Sequence, residues 1–333
     1  MISLRTPAAA PAASARETRL RPVPWRKLVW VIWRQHRIAL AGVAVLFAGL
    51  AVYLLIQGLK IHQAYAPVAA CHPASSIGCR DILSEFKSTY WTDAEITGAL
   101  LQVIPALIGA FLGAPALARE LETGTYRYAW TQGFQRTRWT IGKLATLAVL
   151  ITAATAAFSQ LFGWYYQPFI TDGQQSWLTP AAFDLHGIGY AAWTLAAFAI
   201  GALAGMLIRR VVPAMATTLA IYAGLALATP TFLRGHYLTP LTTKSHDISN
   251  GNAWVLSQWY VGRDGQRLDQ ATVTQLLHSY QPDYLVKHGF TQWTSYQPAA
   301  RFWPFQLIEG GWLLALSLLL IAATVWLVRH RAA

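Results

Sequence analysis

The chain has 333 residues, of which 55% are hydrophobic and only 12% are charged, and its formal net charge is +12. Because soluble domains carry about 25% charged residues, this composition excludes an ordinary soluble globular protein and predicts a polytopic membrane protein. A net positive charge in a soluble protein would first suggest nucleic acid binding. In a membrane protein, the uneven distribution of Lys and Arg between loops accounts for it.

The segment before the first long apolar run has two parts. Residues 1–20 are rich in Ala, Pro, Ser and Arg, so we expect a disordered cytoplasmic tail. Residues 21–37 have apolar side chains on one helical face between basic flanks, which predicts an amphipathic helix along the inner leaflet. A simple anchor of basic and aromatic residues is the alternative. The apolar face consists of Trp25, Leu28, Val29, Ile32 and Trp33.

Six apolar runs are long enough to cross a membrane as helices. Each has about 20 residues, enough to cross about 30 Å of hydrocarbon. The runs are Ile38–Ile56, Ile96–Ala118, Leu144–Tyr166, Leu185–Ile208, Val211–Pro230 and Gly310–Val328. The sequence therefore predicts an all-α polytopic protein. Its first five transmembrane helices fall in 38–230, and the sixth and the C-terminus fall in 310–333.

The distribution of basic residues predicts the orientation of these spans. With the N-terminus inside, 17 of the 26 Lys and Arg residues lie on the cytoplasmic side. The remaining 9 are spread over the longer loops of the opposite side. Because short cytoplasmic connections carry the excess of Lys and Arg, we expect both termini to be cytoplasmic.

The loop predicted at 57–95 contains the only two cysteines, Cys71 and Cys79. On the outer side of a membrane two cysteines can form a disulfide, but their spacing leaves two free thiols open. The loop ends in a Ser/Thr-x-x-Glu pattern at Thr92–Glu95, which predicts the start of the second span.

Small residues and prolines mark two spans for close packing or kinks. Gly109 with Gly113, and Gly201 with Gly205, form Gly-xxx-Gly patterns that let helices approach closely. Packing within one subunit and packing between subunits are both open, and the first is the simpler. Pro105 and Pro115 lie in the second predicted span, Ile96–Ala118, and are expected to kink it.

The largest piece outside the spans is 231–309, which predicts a small extracellular α/β subdomain between the fifth and sixth helices. Residues 254–261 followed by a turn at 263–265 read as a strand and turn. Residues 268–280 have helical apolar spacing. Its aromatic residues suit a membrane-interface belt better than a ligand platform.

Several kinds of catalytic machinery have no motif here. The sequence has no Gly-rich phosphate-binding loop, no His-Glu-x-x-His, no Cys-x-x-Cys and no Gly-x-Ser-x-Gly. Asp184 and His186 could form a catalytic or metal pair, but a polar helix start explains them better. We find no cluster of polar residues at one membrane depth, and we predict no catalytic, cofactor or metal site.

The charged island Arg119–Lys143 lies between two runs that contain no charged residue, Ile96–Ala118 and Leu144–Tyr166. Topology alone would account for its arginines. It does not call for two Glu residues and a Gly-Thr pair at the end of a span. The island is therefore expected to contact a soluble partner, and energy for any uphill transport would come from that partner.

The sequence resembles the type-2 ATP-binding-cassette (ABC) exporter permease family, most closely its actinobacterial branch, over nearly the whole chain from about Trp25. The stretches that carry the resemblance are Ala118–Arg127, Ala129–Gln132, Arg136–Trp139, Trp33–Arg37, Gly205–Ala216 and Tyr296–Glu309. The proline-rich first 20 residues depart from it.

The resemblance implies a permease of six helices that dimerises, as a homodimer, and carries two cytoplasmic ABC ATPase subunits. ATP and Mg would be bound by that partner and not by this chain. A coupling segment after the second span would seat in the ATPase, with the amphipathic helix as a second contact. The coupling residues would be Arg119, Glu120, Glu122, Gly124, Thr125, Arg127, Arg136 and Arg138.

The leading hypothesis is a multi-pass permease subunit in a bacterial inner or plasma membrane. It would export an amphipathic or hydrophobic compound, such as an antibiotic, peptide or lipid, by alternating access, as in multidrug efflux. One alternative is a membrane-embedded enzyme that uses Asp184, His186 or Glu309 at the outer face. Another is a non-transporting sensor subunit. No nucleic acid partner is expected.

Overall fold

The computed structural model describes residues 24–72, 76–124, 136–171, 175–244, 253–279 and 284–331. The predicted tail 1–20 lies outside the described residues. Within them, six helical segments are long and apolar enough to cross a membrane, which confirms the predicted all-α polytopic fold. These segments are 25–70, 77–123, 136–171, 189–208, 211–236 and 299–330.

Helix α1 (Trp25–Ala70) is longer than the predicted span at both ends. Its 46 residues correspond to about 70 Å of helix, more than twice the thickness of a bilayer core. The sequence predicted a boundary at residue 37 between an interfacial helix and the first span. The structure instead has one continuous helix through this residue. The reason is a continuous packing stripe: Leu28 and Ile32 are buried on α1, as are Phe47 and Leu54 further along.

The predicted loop 57–95 is also corrected, since most of it is helical. Helix α2 (Ile77–Leu101) begins far before Thr92, and Ser76 caps it by accepting a hydrogen bond from the Cys79 amide at 3.3 Å. In the structure Cys71 and Cys79 form a disulfide that closes the turn between α1 and α2, with a Cα–Cα distance of 5.6 Å. The two helical extensions contain charged residues and therefore do not belong to a continuous apolar run, so the sequence pattern did not predict them as helix.

The second membrane-length segment is broken where its prolines lie. A turn at 102–103 precedes α3 (Ile104–Ile108), and a π-helical turn, Gly109–Gly113, precedes α4 (Ala114–Thr123). Pro105 and Pro115 each lie in the first turn of the helix that follows an irregularity. A proline lacks the amide that would continue the helical ladder, and regular α-helix is interrupted before both prolines.

Helix α7 is the central element of the bundle. After α5 (Arg136–Thr171) and the short α6 (Pro180–Leu185), α7 (Gly189–Ile208) packs against α3, α4, α5 and the last helix. It is apolar all round and almost entirely buried, as expected for a helix with neighbours on every side. The predicted start at Leu185 is corrected, because Leu185 belongs to α6.

The two Gly-xxx-Gly patterns pack against each other inside one chain. A Cβ atom added to Gly201 would lie on the Gly109 carbonyl oxygen, and one added to Gly205 would lie on the Ala114 carbonyl oxygen. In the other direction, a Cβ atom on Gly113 would lie on the Phe198 carbonyl oxygen. Backbone-to-backbone approach of α7 and the π-helical turn therefore requires glycine at these positions.

Helix α8 (Val211–Ala228) follows α7 after the two-residue turn Arg209-Arg210, in which Arg209 has a positive φ of 58°. It continues through a π-helical turn and a 3-10 turn to His236. Its outward face is apolar, with Val212 and Leu227 more than two thirds exposed. A helix with such a face needs lipid or a second chain against it.

A small sheet lies between α8 and the last helix. Strands β1 (Leu241–Lys244), β2 (Ala253–Val261) and β3 (Thr291–Pro298) are antiparallel in the order β1-β3-β2. Helices α9 (Gln270–Ser279) and α10 (Tyr284–Lys287) complete this subdomain. The strand, turn and helix predicted at 254–280 are present in the described residues.

The last helix, α11 (Phe302–Arg331), begins eight residues before the predicted start at Gly310. The sequence Phe302–Glu309 contains Pro304 and polar side chains as well as Trp303. It therefore does not continue the apolar run that begins at Gly310, and the sequence pattern placed it in the preceding loop. As a result Glu309 belongs to a membrane-length helix, as does Arg234 at the end of the α8 segment.

We predict that Gly201→Ala lowers the melting temperature of the purified protein, because the added Cβ would collide with the Gly109 carbonyl. Overpacking of this kind costs about 1–3 kcal/mol. Thermal unfolding in detergent, followed by intrinsic tryptophan fluorescence, measures the effect. The matched control is Gly49→Ala in α1, where nothing lies within 4 Å. An equal response of the two variants would contradict the close crossing.

Candidate functional site

Two clusters of charged side chains lie at opposite ends of the bundle. The basic end is formed by 25–37, 119–124, 136–143 and 209–210, and it contains most of the predicted coupling residues. The sheet end is formed by α6, the 3-10 turn 234–236 and the first turns of α11, beside the sheet. The basic end was expected from the sequence, and the sheet-end cluster was not.

Glu120 is the centre of the basic end. Its Oε1 accepts a hydrogen bond from Lys143 Nζ at 2.7 Å and another from Gln35 Nε2 at 2.7 Å. The Lys143 side chain is only 1% exposed, so Glu120 is its counter-ion in a buried pair. One carboxylate therefore ties α4 to both α1 and α5, and Glu120 holds the end of α4 in place.

The start of α1 packs on the start of α5. Leu28 and Ile32 are fully buried against Trp139, and a Cβ atom on Gly142 would collide with Leu28. The guanidinium of Arg138 lies 4.7 Å from the centre of the Trp25 ring, within cation–π range. The apolar face predicted for the first part of α1 therefore consists of a buried part and an exposed part.

Of the face Trp25, Leu28, Val29, Ile32 and Trp33, the second and fourth residues face α5, and the other three remain about half exposed. Those three form the exposed part of the amphipathic segment, which is now the first part of α1. Exposed aromatic side chains beside basic residues suit a membrane interface or a protein partner.

Helix α4 ends in a defined cap beside the start of α8. Gly124 has a φ of 69°, the left-handed conformation that commonly closes a helix and that glycine adopts without strain. Two residues earlier, Glu122 Oε2 accepts a hydrogen bond from the Val211 amide at 3.0 Å. Because amides at a helix N-terminus lack partners and favour negative charge, Glu122 caps α8 from another helix.

The predicted coupling residues therefore divide into four groups. Arg119 and Arg136 are exposed at the basic end. Glu120, Glu122 and Arg138 make contacts within the chain, and Gly124 ends α4. Thr125 and Arg127 lie outside the described residues. The sequence did not predict a role for Gln35 or Lys143. Both bind Glu120, which lies far from each of them in the sequence.

At the sheet end, Arg234 is fully buried and forms ion pairs with two carboxylates. Its Nε donates to Glu309 Oε2 at 2.9 Å, and its Nη2 donates to Glu309 Oε1 at 2.7 Å, a two-point contact. Nη2 also donates to Asp184 Oδ1. The guanidinium stacks on Phe183, 4.3 Å from the ring centre. This cluster joins α6, α8 and α11.

Glu309 is saturated by donors and closed to solvent. Besides Arg234, its oxygens accept hydrogen bonds from Trp193 Nε1 at 2.9 Å and from Tyr237 Oη at 3.0 Å. Tyr237 Oη in turn accepts one from Trp312 Nε1 at 3.0 Å. A carboxylate with no exposed surface and four donors is a structural anchor, which gives no support to the enzyme alternative.

Asp184 and His186 are not paired with each other. They also do not form the polar start of the fourth span, as the sequence predicted, because α7 begins only at Gly189. Asp184 lies near the end of α6 and pairs with Arg234, whereas His186 stacks on Trp177 with ring centres 4.2 Å apart. Burial lowers the pKa of His186. The start of α7 is held instead by Gln306, whose Oε1 accepts a hydrogen bond from the Gly189 amide at 2.7 Å.

The protonation of Asp184 is sensitive to its surroundings. Burial raises the pKa of Asp184 to about 6, and the neighbouring negative charge of Glu309 acts in the same direction against the stabilising effect of Arg234. Burial also raises the pKa of Tyr237. Asp184 therefore loses its charge at a higher pH than an ordinary aspartate does.

Asp184 borders a cavity of about 430 Å³ between the α2–α3 junction, α7 and α8. Its side chain is 23% exposed, whereas those of Arg234 and Glu309 are fully buried. The aromatic residues Tyr190, Trp193 and Tyr222 also line the cavity. Among the described residues, no group of three or more His, Cys, Asp or Glu side chains could hold a metal ion.

These features define a multi-pass α-helical membrane protein with paired charges at both ends of its bundle. The family model described as "ABC-2 membrane transporter related" matches residues 44–234, more than half of the chain. The chain therefore belongs to the ABC-2 membrane transporter related family. Members of this family are transport subunits that associate with an ABC ATPase. No curated protein and no solved structure matches the chain.

We predict that the melting temperature of the wild type falls, relative to that of Asp184→Asn, as the pH rises from 4 to 7. A carboxyl whose pKa is raised on folding, here from 3.8 to about 6, stabilises the fold below pH 3.8. That contribution is lost as the pH rises through about 6. Asparagine does not titrate, so the difference between the two melting curves isolates Asp184. A difference that is constant over this pH range would contradict the assignment.

Proposed function

We propose that this chain is the permease subunit of an ATP-driven exporter. It moves an amphipathic or hydrophobic compound out of the cell, powered by a separate ABC ATPase. The family assignment supports the transport role, and the six membrane-length helices supply the pathway. The excess of Lys and Arg at the basic end supports a cytoplasmic basic end, which leaves the sheet on the outer side.

The observation that carries the coupling role is the way the end of α4 is fastened. Glu120 joins α4 to α1 and α5, and Glu122 joins α4 to α8. Residues 125–135, which hold Thr125 and Arg127, follow directly from this fastened end. A force applied there by an ATPase would therefore move four membrane helices together and not one loop.

Alternating access follows from this arrangement. ATP closes two ATPase subunits on each other, the coupling segments of two permease chains are drawn together, and the pathway between the chains opens outward. The exposed apolar face of α8 is consistent with a second copy of this chain as the partner. Cargo shifts the equilibrium only through its different affinity for the two states.

The sensor alternative shares the ATPase contact and differs in what the ATPase does. An exporter hydrolyses ATP faster when cargo is present and moves that cargo across the membrane, whereas a sensor moves nothing. Transport into sealed vesicles that hold the complex separates these two functions.

We predict that Arg119→Ala combined with Arg127→Ala abolishes co-purification of this chain with its ABC ATPase partner. Arg119 is exposed at the basic end, and removing charges from a protein interface should weaken the contact without unfolding the permease. The measurement is the ratio of ATPase to permease after affinity purification of a tagged permease from membranes.

The matched control is Arg80→Ala, which removes an exposed arginine from the start of α2, at the other end of the bundle. It should leave the ratio unchanged. Membrane insertion of every variant is checked by the amount of permease extracted in detergent. An unchanged ratio in the double variant, or an equal loss in the control, would overturn the proposed coupling role.

A further inference from the structure

The cavity beside Asp184 differs in chemistry from a groove of comparable size elsewhere in the bundle. Its wall is mostly apolar, yet one carboxylate faces it, together with the amide side chain of Gln102. A comparable groove between α7, α8 and α11 is lined by Leu, Ile, Ala and Gly, with Thr217 as its one polar side chain. A groove between these helices can thus be formed without any charged side chain, so the carboxylate of Asp184 is a specific feature of this cavity.

The charge of the cluster behind the cavity is unbalanced. Arg234 is one positive charge and faces two carboxylates, both of which it contacts. Glu309 uses both oxygens on donors within the chain. Asp184 is the only member with exposed surface, so the uncompensated negative charge is presented to the cavity. A buried net charge in apolar surroundings is costly unless a counter-charge joins it.

The aromatic residues of the cavity are arranged to accept a flat or bulky organic group. Trp193 and Tyr222 meet edge to face, with ring centres 5.7 Å apart, and each is less than one tenth exposed. Trp193 is held by its hydrogen bond to Glu309, and Tyr190 by a hydrogen bond from its hydroxyl to the Leu101 carbonyl at 3.2 Å. Rigid aromatic faces attract cations through their quadrupoles.

The cavity opens on the apolar surface of the bundle. Val103 of the α2–α3 junction and Leu227 of α8 line it; Val103 is about half exposed and Leu227 more than two thirds exposed. A ligand that enters this way must be soluble in the hydrocarbon region or at its edge. At about 430 Å³ the cavity falls in the range typical of small-molecule sites.

We propose that this cavity binds a lipophilic organic cation, with Asp184 as its counter-ion and Tyr190, Trp193 and Tyr222 as its aromatic walls. The assignment rests on the proposed function in one respect, namely that the bound cation is cargo. Binding itself requires only this chain. A neutral lipid tail or an anion would leave the charge of Asp184 unmatched.

The test uses tetraphenylphosphonium, a permanently charged lipophilic cation, and tetraphenylborate, an anion of nearly the same shape. Equilibrium dialysis of the purified full-length protein at pH 8, where Asp184 is ionised, measures both ligands. We expect saturable binding of tetraphenylphosphonium and no saturable binding of tetraphenylborate. Asp184→Asn should weaken cation binding at least about tenfold. Asp81→Asn, an exposed carboxylate of α2 outside the cavity, should leave it unchanged.

A second variant keeps the test decisive if Asp184→Asn fails to fold. Ala223→Phe adds a ring to the lining of the cavity from α8 and leaves the ion cluster intact, and it should abolish cation binding. Equal binding of the anion, full binding by either cavity variant, or equal loss in Asp81→Asn would overturn the proposal. Co-purification of the ATPase with these variants is a separate readout, so loss of this site leaves the permease role standing.

Discussion

Arg234 imposes the strongest constraint on this fold, because a permanently charged side chain with no exposed surface must find its counter-ions inside the protein. It finds them in Asp184 of α6 and Glu309 of α11, and this requirement brings the ends of three helices together beside the sheet. Gln297 extends the tie into the sheet through hydrogen bonds to the Gly235 and Leu238 carbonyls. The sheet subdomain is thus anchored on the same turn that carries the arginine.

Helix α8 connects this constraint to the opposite end of the bundle. Its first amide is capped by Glu122 of α4, and the segment that continues it ends at the turn holding Arg234. Between those two points Tyr222 and Leu227 line the cavity next to Asp184. A displacement of α4 by a partner at the basic end would therefore act on the helix that forms one wall of the cavity. This is a physical path by which coupling and cargo binding would influence each other.

Hydrophobic runs predicted the existence and order of the six spans, and the glycine patterns predicted a close crossing, because both depend on local residue type. Helix ends were less predictable: α1 continues through the charged residues before Ile38 because packing on α5 continues there. The ion cluster was missed because Asp184, Arg234 and Glu309 are far apart in sequence and all three lie outside the predicted spans. Lys143 and Gln35 were missed for the same reason, since only the bundle brings them to Glu120.

We propose that an ABC ATPase acts on this chain at its basic end. The most direct measurement inserts a photo-crosslinking amino acid at position 119, next to the fastened end of α4, and irradiates native membranes that contain the ATPase. We expect a crosslinked product of permease and ATPase from position 119 and none from position 80 at the opposite end. Crosslinking from position 80 alone, or from neither position in membranes where the two proteins co-purify, would contradict it.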